Sequence, residues 1–449
     1  MMINPLDTLT RALEKACALG AEAGDAVMFE TSGLSAARRM GKPEGIEQSE
    51  NKALGLRAFI GQRQAIASTS DTGEDALAEL AERVVAMAKA APIDPDSLLA
   101  PESLCAPEVP DLDLNDAVAP DMAWLTGECR RAEEAALSVK GITNSEGAEA
   151  SYSQNRVSLA IANNHGAHFA RSYLASHFSV SVSVIAGSGA AMERDYEFAS
   201  CRHRRNLADA SGIGAAASVR ALKRLNPRKP ATCRAPVVFD PRVSRQWLGM
   251  LAGAISGSSV ARGASFLKDA LGAEVFSKNI RIIDDPHIKA GLGSRPFDAE
   301  GVKNGRRIII DNGVLSTWLL DLRTAHKLGL ETTGHASRGV AAPPSPASTN
   351  LYMEKGKLSP EALMSGINNG LYVTETFGMG VNLVTGDYSQ GASGFWIENG
   401  EIAYPVSEIT IAGHLREMFK TAAPADDLQF RYATNAPTLR VDGMTIAGA

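Results

Sequence analysis

Three histidines, His165, His168 and His177, fall within thirteen residues, and clustered imidazoles are a common way to hold a catalytic metal. Their spacing argues against that use. The Asn-Asn-His-Gly run at 163–166 reads as a turn, and His168 and His177 stand nine apart in a strand-like run. An odd separation sends them to opposite faces, and no carboxylate or cysteine nearby completes a tetrahedral set. The Gly-Ser-Gly-Ala run at 187–190 follows a strand but opens no glycine-containing helix, so it reads as a turn rather than a dinucleotide fingerprint. Ser256 and Ser393 lack the Gly-x-Ser-x-Gly frame of a nucleophile elbow. His287, His326, His335 and His414 are scattered singly and read as structural or surface residues. Cys17, Cys105, Cys129, Cys201 and Cys233 are odd in number, widely spaced and free of any Cys-x-x-Cys pair. They read as the reduced thiols of a cytoplasmic protein.

Composition narrows the field further. Forty-five basic and 51 acidic side chains leave a net charge of −6, without the basic stripe of a nucleic-acid binder. The short cluster Arg202, His203, Arg204 and Arg205 reads as a solvated loop. No apolar run approaches the length of a membrane span, and the N-terminus reads as an amphipathic helix rather than a signal peptide.

The elements organise around residues 240–257, where every helix boundary signal is present. Asp240 is a good N-cap, Pro241 sits where a missing N–H costs nothing, and Val243, Trp247, Leu248, Leu251 and Ile255 form one apolar face. After its cap this buried helix carries no His, Glu, Asp or Cys. Before it, helices are expected at 5–20, from a cap at Asp71 or Thr72 to 91, at 120–138 and at 209–225. Strands are expected at 25–34, 45–49, 54–60, 63–70, 142–152, 156–163 and 167–186, with an extended surface connection over 91–120. After it come a short helix at 263–271, a strand at 280–284, an Asn-Gly hairpin joining 306–311 to 314–319, a mobile loop at 334–349 and a helix from 359 to about 366. Strands at 370–375, 380–387, 392–398, 401–405, 429–433 and 438–446 and a helix near 413–420 complete the chain. Helices and strands fall in blocks, which predicts an α+β protein. Residues 1–225 form a mixed N-terminal domain with antiparallel strands, and 226–236 a linker. Residues 237–449 form a β-rich C-terminal domain, a curved antiparallel sheet or barrel around the buried central helix.

Gly378, Gly380, Gly386, Gly391, Gly394 and Gly400 crowd one β region beside Tyr388, Phe395 and Trp396. Glycines there admit bulges and close backbone approach, as in a groove that takes an extended peptide or in a tightly curved core sheet. Glu375 and Asp387 bracket that hairpin. The candidate peptide- or partner-contact residues are Asn350, Tyr352, Glu375, Asp387, Tyr388 and Trp396.

Residues 370–415, with 254–272, 291–302 and 327–336, resemble the C-terminal signature of the TldD/PmbA family, in its PmbA (TldE) branch. The resemblance weakens through the N-terminal half. It implies a zinc-dependent peptidase system in which TldD carries His-Glu-x-x-x-His on a helix and a later cysteine. By the register of the resemblance those positions fall here on Gly249, Met250 and Ala254, and no cysteine follows Cys233. The implied role is a non-catalytic subunit without bound cofactor. It would pair as a heterodimer with a zinc-bearing TldD-like partner and act on unfolded or small peptides, including antibiotic leaders and an antitoxin. An older description of the family, as a modulator of DNA gyrase, finds no DNA-binding surface in this acidic composition. Two other readings remain: a homodimeric peptide-binding or regulatory protein, and an independent metallopeptidase built on His165, His168 or His335. Neither a nucleic acid nor a membrane is an expected partner.

Overall fold

The structure, a computed structural model, describes residues 4–448. A six-stranded antiparallel sheet runs in the order Arg63–Thr69, Lys42–Ile60, Ala23–Arg39, Ile142–Asn163, Gly166–Ala186 and Glu193–Cys201. Alternation decides what each face meets. On the central strand, Ala26 and Met28 pack with Leu9, Leu13, Leu80 and Val84 of the helices Pro5–Ala18 and Glu74–Ala90. Ala36, of the same parity, packs with Leu125, Ala132, Ile213 and Ala217 of the helices Met122–Leu137 and Ala210–Lys223. Val27, of the opposite parity, packs with Leu159, Phe169, Phe297 and Leu322. One face therefore carries the helices and the other carries the C-terminal half.

The C-terminal half contains a barrel. Its strands Glu401–His414, Asp387–Glu398, Asn369–Phe377, Cys233–Phe239 and Leu439–Ala447 follow one another, and residues 410–412 close the ring on 445–447. Beside it lies a five-stranded sheet of Val314–Leu315, Arg307–Asp311, Ile282–Asp284, Leu351–Met353 and Thr434–Asn435. The central helix, Pro241–Ala254, touches strands of both. Asp240 caps it through the Arg242 N–H at 2.9 Å. Val243, Trp247, Leu248, Leu251 and Ile255 are all buried, and Trp247 packs on Phe239, Tyr388 and Phe419 at 5.0, 6.4 and 5.9 Å. The α+β class and the buried helix stand as expected.

Several local expectations do not. The pieces at 45–49 and 54–60 are one strand, because the ladder to Ala23–Arg39 continues unbroken through the polar residues 49–52 and Ala53. Ile142–Asn163 is likewise one strand, and Glu193–Cys201 was not expected. Gly73, rather than Asp71 or Thr72, is the N-cap of Glu74–Ala90, while the Asp71 carboxylate accepts from the Gly73 N–H at 2.8 Å. The connection 91–120 is not purely superficial, since Ala100, Ala106, Leu112 and Leu114 are buried against the sheet. The short helix is Gly257–Ala261; at 263–271 Ser265 donates to the Ala254 carbonyl at 2.6 Å and accepts from Leu267, replacing helical bonds. Residues 380–386 form a loop rather than a strand, with Asn382 accepting from the Val384 N–H at 2.9 Å, and the strand begins at Asp387. Strand Thr434–Asn435 replaces the one expected at 429–433.

The segment 334–349, expected to be a mobile loop, is clasped. It pairs Ala336–Ser337 with Ser345–Pro346, and Arg295 donates to the Ala336 and Ala347 carbonyls at 3.1 Å each. Arg338 reaches the N-terminal sheet to meet Asp25. A Cβ on Gly55 would stand 2.1 Å from the Val340 carbonyl oxygen, so glycine there lets the two backbones touch. Its proline and serine content suggested freedom; long-range charge and packing remove it.

Candidate functional site

Where the N-terminal sheet meets the barrel, the chain encloses a cleft of about 530 Å³. One wall comes from Glu193–Cys201. Glu193, Asp195 and Glu197 alternate along this strand, so their side chains share a face. They meet Arg220 and Arg224, four residues apart on the helix Ala210–Lys223 and its C-cap, and therefore on one helical side. Arg220 pairs with Glu197 at 3.0 Å, and Arg224 with Glu375, Asp195 and Glu193 at 2.7, 3.5 and 3.5 Å. The other wall starts at the N-terminus of the central helix. Arg242 donates to Asp195 at 3.0 Å and lies 4.2 Å over the Tyr196 ring, and the Tyr372 hydroxyl donates to Asp240 at 2.9 Å. Met364, Phe395, Ile402, Tyr404 and Pro405 give the cleft an apolar lining. A neighbouring hollow of about 300 Å³ shares Arg220, Asp240, Arg242 and Tyr372 and extends to Asp427, Tyr432 and Thr438.

The electrostatics follow from this pairing. Burial works against the Arg224 charge, but Glu375, Asp195 and Glu193 outweigh it and hold the guanidinium more firmly protonated. Arg242 is raised in the same way, by Asp195 and Tyr196. Burial, and then the adjacent Asp240, push the Tyr372 hydroxyl well above its usual value, so it stays a donor. Lys223 lies exposed at the rim without an ion-pair partner among the described residues. The cleft is an apolar trough edged by Lys223 and lined by paired guanidinia.

The three register positions lie on the same central helix. Gly249 is exposed, and a side chain there would meet nothing within 4 Å; Met250 is half-buried, and Ala254 is fully buried. Glycine and alanine carry no donor, and a thioether is a poor ligand for zinc. The set does not fit the metal.

The other candidates scatter. Asn350 is buried, accepting from the Gly293 N–H and donating to the Asp285 carbonyl and Ser294. Tyr388 and Trp396 are buried in the barrel core. Tyr352 sits edge-on to Phe430 at 5.0 Å, and Asp387 accepts from Thr385 at 2.6 Å. Only Glu375 reaches the cleft, through Arg224. The glycine-rich region serves the barrel's own closure: a Cβ on Gly380 would meet Ser389, one on Gly391 the Phe377 ring and one on Gly394 the Tyr372 carbonyl.

Histidines remain apart as well. His168 faces the Ala100 carbonyl at 3.1 Å, and His335 bridges Thr333 and Asp284 at 2.8 and 3.1 Å. Among the described residues no three His, Cys, Asp or Glu side chains group to hold a metal. The basic cluster at 202–205 is corrected in part. Arg202 and His203 are buried, bonding the Ser176 and Asp113 carbonyls at 3.0 and 2.8 Å. Arg204 lies over Trp124, and Arg205 is exposed. The cysteines are free, and burial raises Cys105, Cys129 and Cys201 to about 11. Sequence reasoning missed Asp195, Arg220, Arg224, Arg242 and Tyr372. The alternating acids at 193, 195 and 197 against arginines at 220 and 224 were the available signal.

This fold is shared. Models of the PmbA/TldA metallopeptidase domain 1, central domain and C-terminal domain match residues 24–88, 107–225 and 232–448. The chain belongs to the PmbA/TldD family of metallopeptidases. It is 40% identical to a metalloprotease PmbA homolog of Haemophilus influenzae, over 97% of this chain and 94% of that one. It is 38% identical to metalloprotease PmbA of Escherichia coli O157:H7, over 100% and 98%. Among solved structures, a Bacteroides thetaiotaomicron protein described as a candidate modulator of DNA gyrase superposes with TM-score 0.89 at 26% identity, covering 100% of each chain. TldE from Thermococcus kodakarensis shares the fold, with TM-score 0.81 at 20% identity over 97% and 100%. No helix among the described residues is long and apolar enough to cross a membrane.

Proposed function

We propose that this chain is the substrate-holding, non-hydrolytic member of a two-subunit metallopeptidase, with zinc and the water-activating carboxylate supplied by a TldD-like partner. The observation that carries the reading is the donor set of the central helix. By the register of the resemblance the family's motif falls on Gly249, Met250 and Ala254, and none of the three is a zinc ligand or a base for water. Restoring the motif here would leave one imidazole in solvent and force the other into the core at Ala254.

The cleft supports the binding half of the reading. An extended, unfolded peptide can lay an apolar side chain against Phe395, Ile402 and Tyr404 while its carboxylate or carbonyl groups meet Lys223. Glu375, Tyr352 and Asp387 remain the proposed peptide or partner contacts outside the core. The zinc content of the purified chain tests the metal assignment. Loading at well below one zinc per chain after dialysis against micromolar zinc is expected. Stoichiometric, chelator-removable zinc in the chain alone would overturn it.

A further inference from the structure

The strand Lys42–Ile60 is longer than its outer neighbour. Arg63–Thr69 covers it only from Leu54 to Ile60, while Ala23–Arg39 follows its inner edge from end to end. Residues 42–53 therefore form an open edge of the N-terminal sheet, and all of them except Ser49 and Ala53 are exposed. Among the described residues no other strand, bridge or loop backbone bonds to this edge. Its proline, Pro43, and its one bulge against Ala23–Arg39 both sit at the far end, so residues 45–53 stay regular.

The register shows which backbone groups are free. The Glu22 N–H, one residue before Ala23–Arg39, donates to the Phe59 carbonyl at 2.9 Å, so the odd-numbered residues turn their N–H and C=O groups inward. No shift interrupts the register from Phe59 to Gly45. Ile46, Gln48, Glu50 and Lys52 therefore turn theirs outward, a row that an extended backbone matches.

The side chains name that backbone. Residues 43–53 are centred on Gln48, and antiparallel pairing with a second copy over this length sets Gln48 opposite Gln48 and Ile46 opposite Glu50. All of these are outward-facing, as a hydrogen-bonded ladder requires. The same register sets Glu44 opposite Lys52, twice by symmetry, and puts no two like charges directly opposite. A parallel copy in register would set like against like. These charges are otherwise uncommitted: Glu44 meets only Arg39, at 3.9 Å, and Glu47, Glu50 and Lys52 have no ion-pair partner among the described residues.

We propose that residues 43–53 are a self-association edge, on which two copies of this chain pair antiparallel about Gln48 and join their six-stranded sheets into one. The edge lies on the opposite side of the sheet from Glu193–Cys201, which walls the cleft. The proposal therefore stands apart from the peptide-holding reading.

Sedimentation velocity of the full chain across the micromolar range tests it, and a concentration-dependent monomer–dimer equilibrium is expected. Gln48→Pro removes an N–H that faces solvent in the monomer but interrupts the ladder at its axis. This variant should stay monomeric with an unchanged urea midpoint. Lys52→Glu, which opposes Glu44, should weaken the dimer about tenfold, and adding Glu44→Lys to it should recover most of the loss. The charge-swap pair carries the test if the proline variant folds poorly. A wild type that stays monomeric, a dimer indifferent to Gln48→Pro, or a double variant no tighter than Lys52→Glu alone would each overturn the proposal.

Discussion

Two charged seams join the N-terminal sheet to the C-terminal half, one closed around Asp25 and one open around Asp195. In the closed seam two guanidinia share one carboxylate with almost no water access. In the open seam Arg220, Arg224 and Arg242 each have at least one carboxylate, and Arg224 has three. Arg224 can lose one contact and keep two, whereas Arg220 depends on Glu197 and Arg242 on Asp195. Sparse pairing in the dry seam fixes the clasped segment in place. The first seam holds two parts of the molecule together; the second is where the proposed substrate would lie.

Breaking the closed seam should have the largest effect. Asp25→Ala leaves two buried guanidinia on one site, and a loss of about 3–5 kcal/mol is expected, read as a fall in the urea midpoint. Asp195→Ala should cost less, about 2 kcal/mol, because Arg224 keeps Glu375 and Glu193 and only Arg242, at the cleft wall, loses its carboxylate. Equal losses in the two variants would erase the distinction between the seams.

Acid titration sharpens the comparison further. Burial opposes the Asp25 charge, but Arg338 and Arg57 outweigh it and hold the carboxylate below its ordinary 3.8. Its contribution is complete above that value and is lost as pH falls through the folded one. Asp298, raised to about 6 by burial, and Glu300, raised by burial and Asp298, act oppositely. They keep protons in the folded state that the unfolded chain releases, so stability declines as pH rises from about 4 through 6. The urea midpoint should therefore peak in mild acid, with a smaller fall above pH 5 in Asp298→Asn. A midpoint that climbs steadily to pH 7 would contradict the assignment. The smallest effect belongs to Lys223→Ala. Stability should change by less than about 0.5 kcal/mol, while affinity for an unfolded acidic peptide, read by fluorescence anisotropy, weakens about two- to fivefold.

The helix at the centre was legible because its signals are local: a cap, a proline and an apolar period within one stretch of chain. The strands were legible as fragments, since apolar alternation stops where backbone pairing continues, as it does through residues 49–53. The closed seam was not legible. Arg338 and Asp25 are 313 residues apart, and no local pattern announces that a Pro- and Ser-rich loop will carry a buried guanidinium across the molecule. The glycines at 380, 391 and 394 allowed two readings, a groove for a visiting backbone or a tightly curved sheet, and the chain's own atoms fill the space beside them, as the second requires. That glycine, methionine and alanine offer no zinc ligand follows from residue type; that Gly249, Met250 and Ala254 are the positions of the motif follows only from the register of the resemblance.

Cleavage of an unfolded peptide in zinc-containing buffer tests the central claim most directly, with this chain alone, with a His-Glu-x-x-x-His relative from the same organism, and with the two mixed. The account predicts turnover in the mixture, lost when the relative's motif glutamate becomes glutamine and unchanged when Met250 of this chain becomes alanine. Chelator-sensitive turnover by this chain alone, in material free of other peptidases, would contradict it.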